Sequence, residues 1–170
     1  MKTRFILLVT FLLVSITFQS CSVSYSFTGA VPMVGVKTFS VDYIQNRAKL
    51  VNPNLSQDLT DALQEKLTKQ TSFSQIEDNG DLEFSGQITG YDVKPTTITE
   101  GDVAAQNRLT ISVKIKYTNN KDHEQDWEKS FSDYEDYDST TSLDEAEGTI
   151  VPEIIEKLTD DIFNASIANW

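Results

Sequence analysis

Cys21 is the only cysteine in the 170-residue chain, and its position limits the chemistry open to it. Lys2 and Arg4 begin the chain, residues 5–18 carry no charge, and Gln19-Ser20 lead into Cys21. A basic start, an apolar middle and a small residue before the cut are the parts of a secretory signal peptide. A cysteine at the first position after that cut is where exported bacterial proteins receive lipid, so the Cys21 thiol is expected to carry acyl chains such as palmitate. The sequence therefore divides into a signal peptide at 1–20, a lipidated tether at 21–30 and a single domain at 31–170. The competing reading is a membrane-spanning anchor. As a helix the uncharged run would reach only about 21 Å, against a hydrocarbon core of roughly 30 Å, and is too short. Phe18 stands where the usual lipoprotein box has leucine, and Gln19 where it has a small residue, so export without lipidation is the remaining alternative.

The other reactive side chains lack partners. His123 is the only histidine and lies in the polar stretch Asp122-His123-Glu124. Without a second histidine or a further thiol, the common zinc ligand sets cannot be built. A serine triad would have to use His123, and the chain has no Gly-x-Ser-x-Gly elbow and no glycine-rich phosphate loop. Asp78-Asn79-Gly80-Asp81 begins like a calcium loop but lacks the later ligands and the closing glutamate, so it reads as a turn. In Asp133-Tyr134-Glu135-Asp136-Tyr137-Asp138, paired carboxylates could bind calcium or transfer protons. The simpler reading is a solvated strand edge with two packed tyrosines. A contact surface is the third, because tyrosine is enriched at interfaces. No metal, no cofactor and no catalysed reaction are expected.

The charge narrows the partners. Loss of residues 1–20 removes Lys2 and Arg4 and leaves 12 basic residues against 26 acidic, a net charge of −14. Nucleic acid is excluded as a partner, because its binding rests on Lys and Arg neutralising phosphates. Anionic headgroups offer no attraction either, so acyl chains must hold the protein on its membrane. One chain anchors only marginally, at about 0.8 kcal/mol per buried methylene; a fully processed lipoprotein carries three. Ser22, not Asp, follows the cysteine, which in enteric-type sorting directs a lipoprotein to the outer membrane.

The elements that hold these residues follow from hydrophobic period. Residues 36–41 alternate as a first strand. Asn54 with Gln57 forms a capping-box pattern, and Leu55, Leu59, Leu63 and Leu67 then make a helical stripe to about residue 70. Leu82, Phe84, Gly86 and Ile88 alternate with polar neighbours, and Gly90 marks a bulge before Tyr91 and Val93. Residues 95–104 read as a loop. Leu109, Ile111, Val113, Ile115 and Tyr117 face one way from the next strand, with Arg108, Lys114 and Lys116 on its wet side. Trp127 and Phe131 share a face of a returning strand. Ser142 with Glu145 caps a long helix through Ile162, which Pro152 should kink or restart. The economical arrangement is α+β, with two helices packed on one face of a small mixed, largely antiparallel β-sheet of about four strands.

Several segments together resemble a family. They are Val51-Asn52-Pro53-Asn54-Leu55-Ser56-Gln57 entering the first helix, Gly80-Asp81-Leu82-Glu83-Phe84-Ser85-Gly86-Gln87-Ile88-Thr89-Gly90-Tyr91, Asn107-Arg108-Leu109-Thr110-Ile111-Ser112-Val113, and Asp161-Ile162-Phe163-Asn164. Their order and spacing, with the lipoprotein signal, resemble the LptE-type lipopolysaccharide-assembly lipoproteins across essentially the whole mature chain. The resemblance implies a non-catalytic outer-membrane lipoprotein on the periplasmic side. It would plug and help assemble the LptD β-barrel and take part in lipopolysaccharide transport to the cell surface. It also implies contact with lipopolysaccharide through basic side chains, for which Arg108, Lys114 and Lys116 are the candidates; their alternative role is to keep an exposed face soluble. The acidity departs from the family pattern and would suit a basic barrel wall. The alternative function is a periplasm-facing lipoprotein that binds another envelope partner.

Cys21→Ala should release the protein into the soluble periplasm. Fractionation and immunoblotting test this, and continued sedimentation with membranes contradicts lipid as the anchor.

Overall fold

The computed structural model describes residues 33–50, 52–96 and 106–168. The signal peptide, Cys21, the tether and most of the expected 95–104 loop lie outside those residues. In chain order come β1 (Thr38–Val41), β2 (Gln45–Asn46), α1 (Leu55–Gln70), β3 (Ser74–Gln75) and β4 (Leu82–Pro95). β5 (Gln106–Asn119), a 3-10 turn (His123–Gln125), β6 (Trp127–Asp138) and α2 (Leu143–Ser166) follow. The strands form one six-stranded sheet in the order β3-β1-β4-β5-β6, with β2 also paired to β4. β1, β2 and β3 make the parallel pairings, and β4-β5-β6 is an antiparallel meander. Parallel neighbours need a crossover, and α1 supplies it between β1 and both β3 and β4.

The α+β class holds, and the sheet is larger than the expected four strands. β2 and β3 are two residues each, too short to show alternation. They exist because β4 and β1 offer them peptide groups to pair with. The stripe of α1 is as read: Leu55, Leu59, Leu63 and Leu67 are all fully buried. α2 buries Ile150, Val151, Ile154, Ile155, Leu158, Ile162 and Phe163 in the same core. From the sheet, that core receives Leu82, Phe84, Ile88 and Tyr91 of β4 and Leu109 to Tyr117 of β5. The bulge falls as expected, with register shifting between Ile88 and Gly90. The extra residue returns Tyr91 and Val93 to the helix side.

One local expectation fails. Asn54 occupies the N-cap of α1 but makes no side-chain capping bond. Its backbone is already α-like (φ −90, ψ −18), so its side chain is not placed to reach back. Asn52 instead accepts the Asn54 amide at 3.0 Å, and Gln57 donates to Asp61. Ser142, with extended backbone, does cap α2 by accepting the Glu145 amide at 3.4 Å. At Pro152, where a kink or a restart was expected, α2 does not restart but runs through all 24 residues. The carbonyl that proline leaves without a helical donor is that of Gly148, and both residues are exposed, so water can take the bond.

One turn ties the crossover to the meander. Asn79 adopts φ 57, and a Cβ on Gly80 would lie 2.5 Å from the Ser40 amide nitrogen, so only glycine fits there. The Asp81 carboxylate then accepts the amides of Lys37 (2.7 Å) and Thr38 (3.0 Å) and meets the Lys121 ammonium at 2.7 Å. The Lys121 ammonium, followed by the Lys37 amide, holds this carboxyl far below the usual carboxylate range. A depressed folded pKa contributes stability above the unfolded value and loses it as pH falls toward the folded one.

Leu63→Ala should cost about 2–5 kcal/mol in denaturant unfolding; an unchanged midpoint would show that the stripe does not lie in the core. Asp81→Asn should lower Tm at neutral pH and flatten the loss of stability below about pH 4, where an unfolded aspartate begins to protonate. A Tm series across acid pH with the same slope for both proteins contradicts the role given to Asp81.

Candidate functional site: the open face of the sheet and the acidic helices

The helices cover one face of the sheet and leave the other open. The open face of β5 presents Arg108, Thr110, Ser112, Lys114 and Lys116, as alternation requires. The returning strand neutralises most of that charge. Arg108 is clamped by Asp136 through two bonds of 2.7 and 2.8 Å, with its guanidinium 3.6 Å from the Tyr134 ring centroid. That pairing raises the pKa of Arg108 and lowers that of Asp136. Lys114 meets Glu128 at 3.0 Å. Lys116 is exposed and has no carboxylate within ion-pair distance among the described residues. The three candidate cations thus share one face, and Lys116 alone of them offers uncompensated charge.

The acidic tyrosine segment does not converge. It lies within β6, so its side chains divide between the two faces of the sheet. Asp133, Glu135 and Tyr137 turn toward the helices; Tyr134, Asp136 and Asp138 turn away. Asp133 and Glu135 both reach Lys157 of α2, whose pKa is raised chiefly by the hydrogen bond its ammonium donates to Glu135. Asp138 binds Thr140 through its amide and hydroxyl, which lowers its pKa. Every one of the four carboxylates is therefore committed to a structural contact. His123 sits exposed in the 3-10 turn, 3.0 Å from Asp126. Burial pushes the Asp126 carboxyl up, but the Asn119 amide and His123 outweigh it and the net shift is downward. Among the described residues no three His, Cys, Asp or Glu side chains are grouped to hold a metal, and no helix is long and apolar enough to cross a membrane.

The helical layer differs electrically from the sheet face. α1 carries three carboxylates and two lysines, and α2 seven carboxylates and one lysine. Between the helices runs a groove of about 530 Å³, floored by Ala62, Pro152 and Ile155 and flanked by Asp58, Asp61, Glu65 and Glu156. Lys66 crosses it to pair with Asp160, and Lys69 pairs with Glu65. The sequence alone could count these acids. It could not say that they collect on one layer, because that depends on which helix faces meet the sheet. Sequence reading also missed the strut from Glu147 of α2, whose carboxylate accepts bonds from Tyr91 of β4 and Asn52. Three residues so far apart in the chain carry no shared signal.

These features define a two-layer α+β body, one layer a mixed sheet and the other a pair of acidic helices. The chain belongs to the LptE family, described as lipopolysaccharide-assembly, which it matches over residues 36–166. No curated protein sequence matches it significantly. Among solved structures it is similar to the hypothetical protein CT253 from Chlamydia trachomatis, at 9% identity and TM-score 0.52, covering 75% of this chain and 93% of that one. The PelC dodecamer subunit from Paraburkholderia phytofirmans matches at 10% identity and TM-score 0.50, over 82% of this chain and 95% of that one. Rare lipoprotein B from Shewanella oneidensis matches at 15% identity and TM-score 0.49, over 75% and 92%. At such identities the likeness concerns fold alone.

Proposed function

We propose that this protein is a non-catalytic outer-membrane lipoprotein, held on the periplasmic side by acyl chains on Cys21. It plugs and helps assemble an LptD-type β-barrel and takes part in moving lipopolysaccharide to the cell surface. The observation that carries this reading is the family match over residues 36–166 of the 170. The committed state of the Asp133–Asp138 carboxylates supports a binding role over catalysis.

Within that role the two layers suit different contacts. The sheet face, with Arg108, Lys114 and Lys116, is the side on which an anionic lipid meets least repulsion. Lys116 is the first contact there, since Arg108 and Lys114 must leave a carboxylate before they can engage a phosphate. The acidic helices suit a cationic wall, and charge complementarity would set the orientation of docking more than its strength.

Detergent extraction and affinity purification from native membranes should recover one large β-barrel at equal stoichiometry. Depletion should reduce lipopolysaccharide at the cell surface. Recovery of the protein alone, while other outer-membrane complexes stay intact, overturns the plug. Normal surface lipopolysaccharide after depletion favours a different envelope partner.

A further inference from the structure

The sheet ends on β6, and no strand lies beyond it among the described residues. Its edge is 12 residues long, holds no proline and keeps one register against β5, which makes it a template for another strand. Which peptide groups it presents follows from the ladder inside the sheet. The Thr96 amide bonds the Gln106 carbonyl, so the even-numbered residues of β5 turn their peptide groups toward β4 and the odd-numbered ones toward β6. Their partners on β6 are odd as well, from Tyr117 with Trp127 to Asn107 with Tyr137. The groups that point outward from β6 are therefore those of Glu128, Ser130, Ser132, Tyr134, Asp136 and Asp138.

Tyr134, in the second half of this edge, is already engaged at both of its outward groups. Its amide donates to the Asp133 carboxylate at 2.7 Å, and its carbonyl accepts the Lys157 ammonium at 3.4 Å. Lys157 reaches down from α2 and is held there by Asp133 and Glu135. At the end of the strand the Asp138 carbonyl accepts the Thr141 amide at 3.0 Å. A second copy of this chain would otherwise find a usable register. Set antiparallel about Ser132, two β6 edges place Lys129 opposite Glu135 and Trp127 opposite Tyr137, each twice by symmetry. Glu128 meets Asp136 in that register, but Lys114 and Arg108 already neutralise them. The same register sets Ser130 opposite Tyr134, so the ladder needs the two peptide groups that Asp133 and Lys157 occupy.

We propose that Asp133 and Lys157 form an edge guard: they bond the outward peptide groups of Tyr134 and close β6 to pairing with a second copy of this chain. One arm of the guard comes from the strand and the other from the helix, so it exists only once α2 lies on β6. It interrupts the edge where self-pairing would be best matched, and it leaves the outward groups of 128–132 as a run too short to hold a second copy by itself. The guard does not depend on which partner the folded protein serves.

Two measurements on the full chain in detergent test this. In the unaltered protein the Tyr134 amide should exchange about tenfold more slowly than the outward amides of Ser130 and Ser132, because it alone of the three has an acceptor. Asp133→Ala combined with Lys157→Ala removes the guard and leaves the net charge unchanged. Sedimentation equilibrium should then show self-association at least tenfold tighter than that of the unaltered protein. Adding Ser132→Pro, which takes an outward donor from the edge and no bond from β5, should return the association to its original strength. The proposal is overturned if Tyr134 exchanges as fast as Ser130 and Ser132, if the guardless variant associates no more tightly, or if its association survives Ser132→Pro.

Discussion

The structure depends on the burial of one face of β5 beneath α2. Leu109, Ile111, Val113 and Ile115 have no exposed surface, and neither do Ile154, Leu158 and Ile162 above the sheet. Each such side chain contributes about 1.5–3 kcal/mol through removal from water. No disulfide can share the task, because the chain has one cysteine. The covered face of β5 commits its opposite face, residue by residue, to be polar. Arg108, Lys114 and Lys116 stand in line for that reason, and any surface role they have is set by the core behind them.

β6 shows how the same constraint handles an edge. Its next two helix-side positions beyond Phe131 are Asp133 and Glu135, directly across from Ile111 and Leu109. Carboxylates there would be costly next to a core. Lys157 from α2 meets both and keeps them near the solvent boundary. Charges turned inward on an edge strand also discourage indiscriminate pairing with other chains. Asp136 on the other face clamps Arg108, so one acidic strand stabilises both layers.

The result is a body with unlike sides. The helical layer concentrates unpaired negative charge around a shallow groove, while the sheet face is close to balanced. The whole chain has a net charge of −12. That charge is unevenly placed, and at physiological ionic strength charges separated by more than about 8 Å are largely screened from each other.

Much of the architecture was legible beforehand, for definite reasons. The α1 leucines repeat every four residues, β5 alternates over nine, and Gly90 shifts the phase of β4, so helix, strand and bulge were each written in local period. The serine cap of α2 was equally local. The parallel strands β2 and β3 were not, since two residues carry no period and form only where a neighbour offers its edge. Asn54 failed as a cap because its backbone is already α-like, and α2 does not restart at Pro152 because the carbonyl left open belongs to the exposed Gly148. The same division holds for the site. Sequence alone determined that the chain carries one thiol, one histidine, an acid excess and a family pattern. Only the tertiary structure decided that the carboxylates of Asp133–Asp138 split between two faces and that Arg108 and Lys114 are already held, because ion pairing depends on which strands and helices become neighbours.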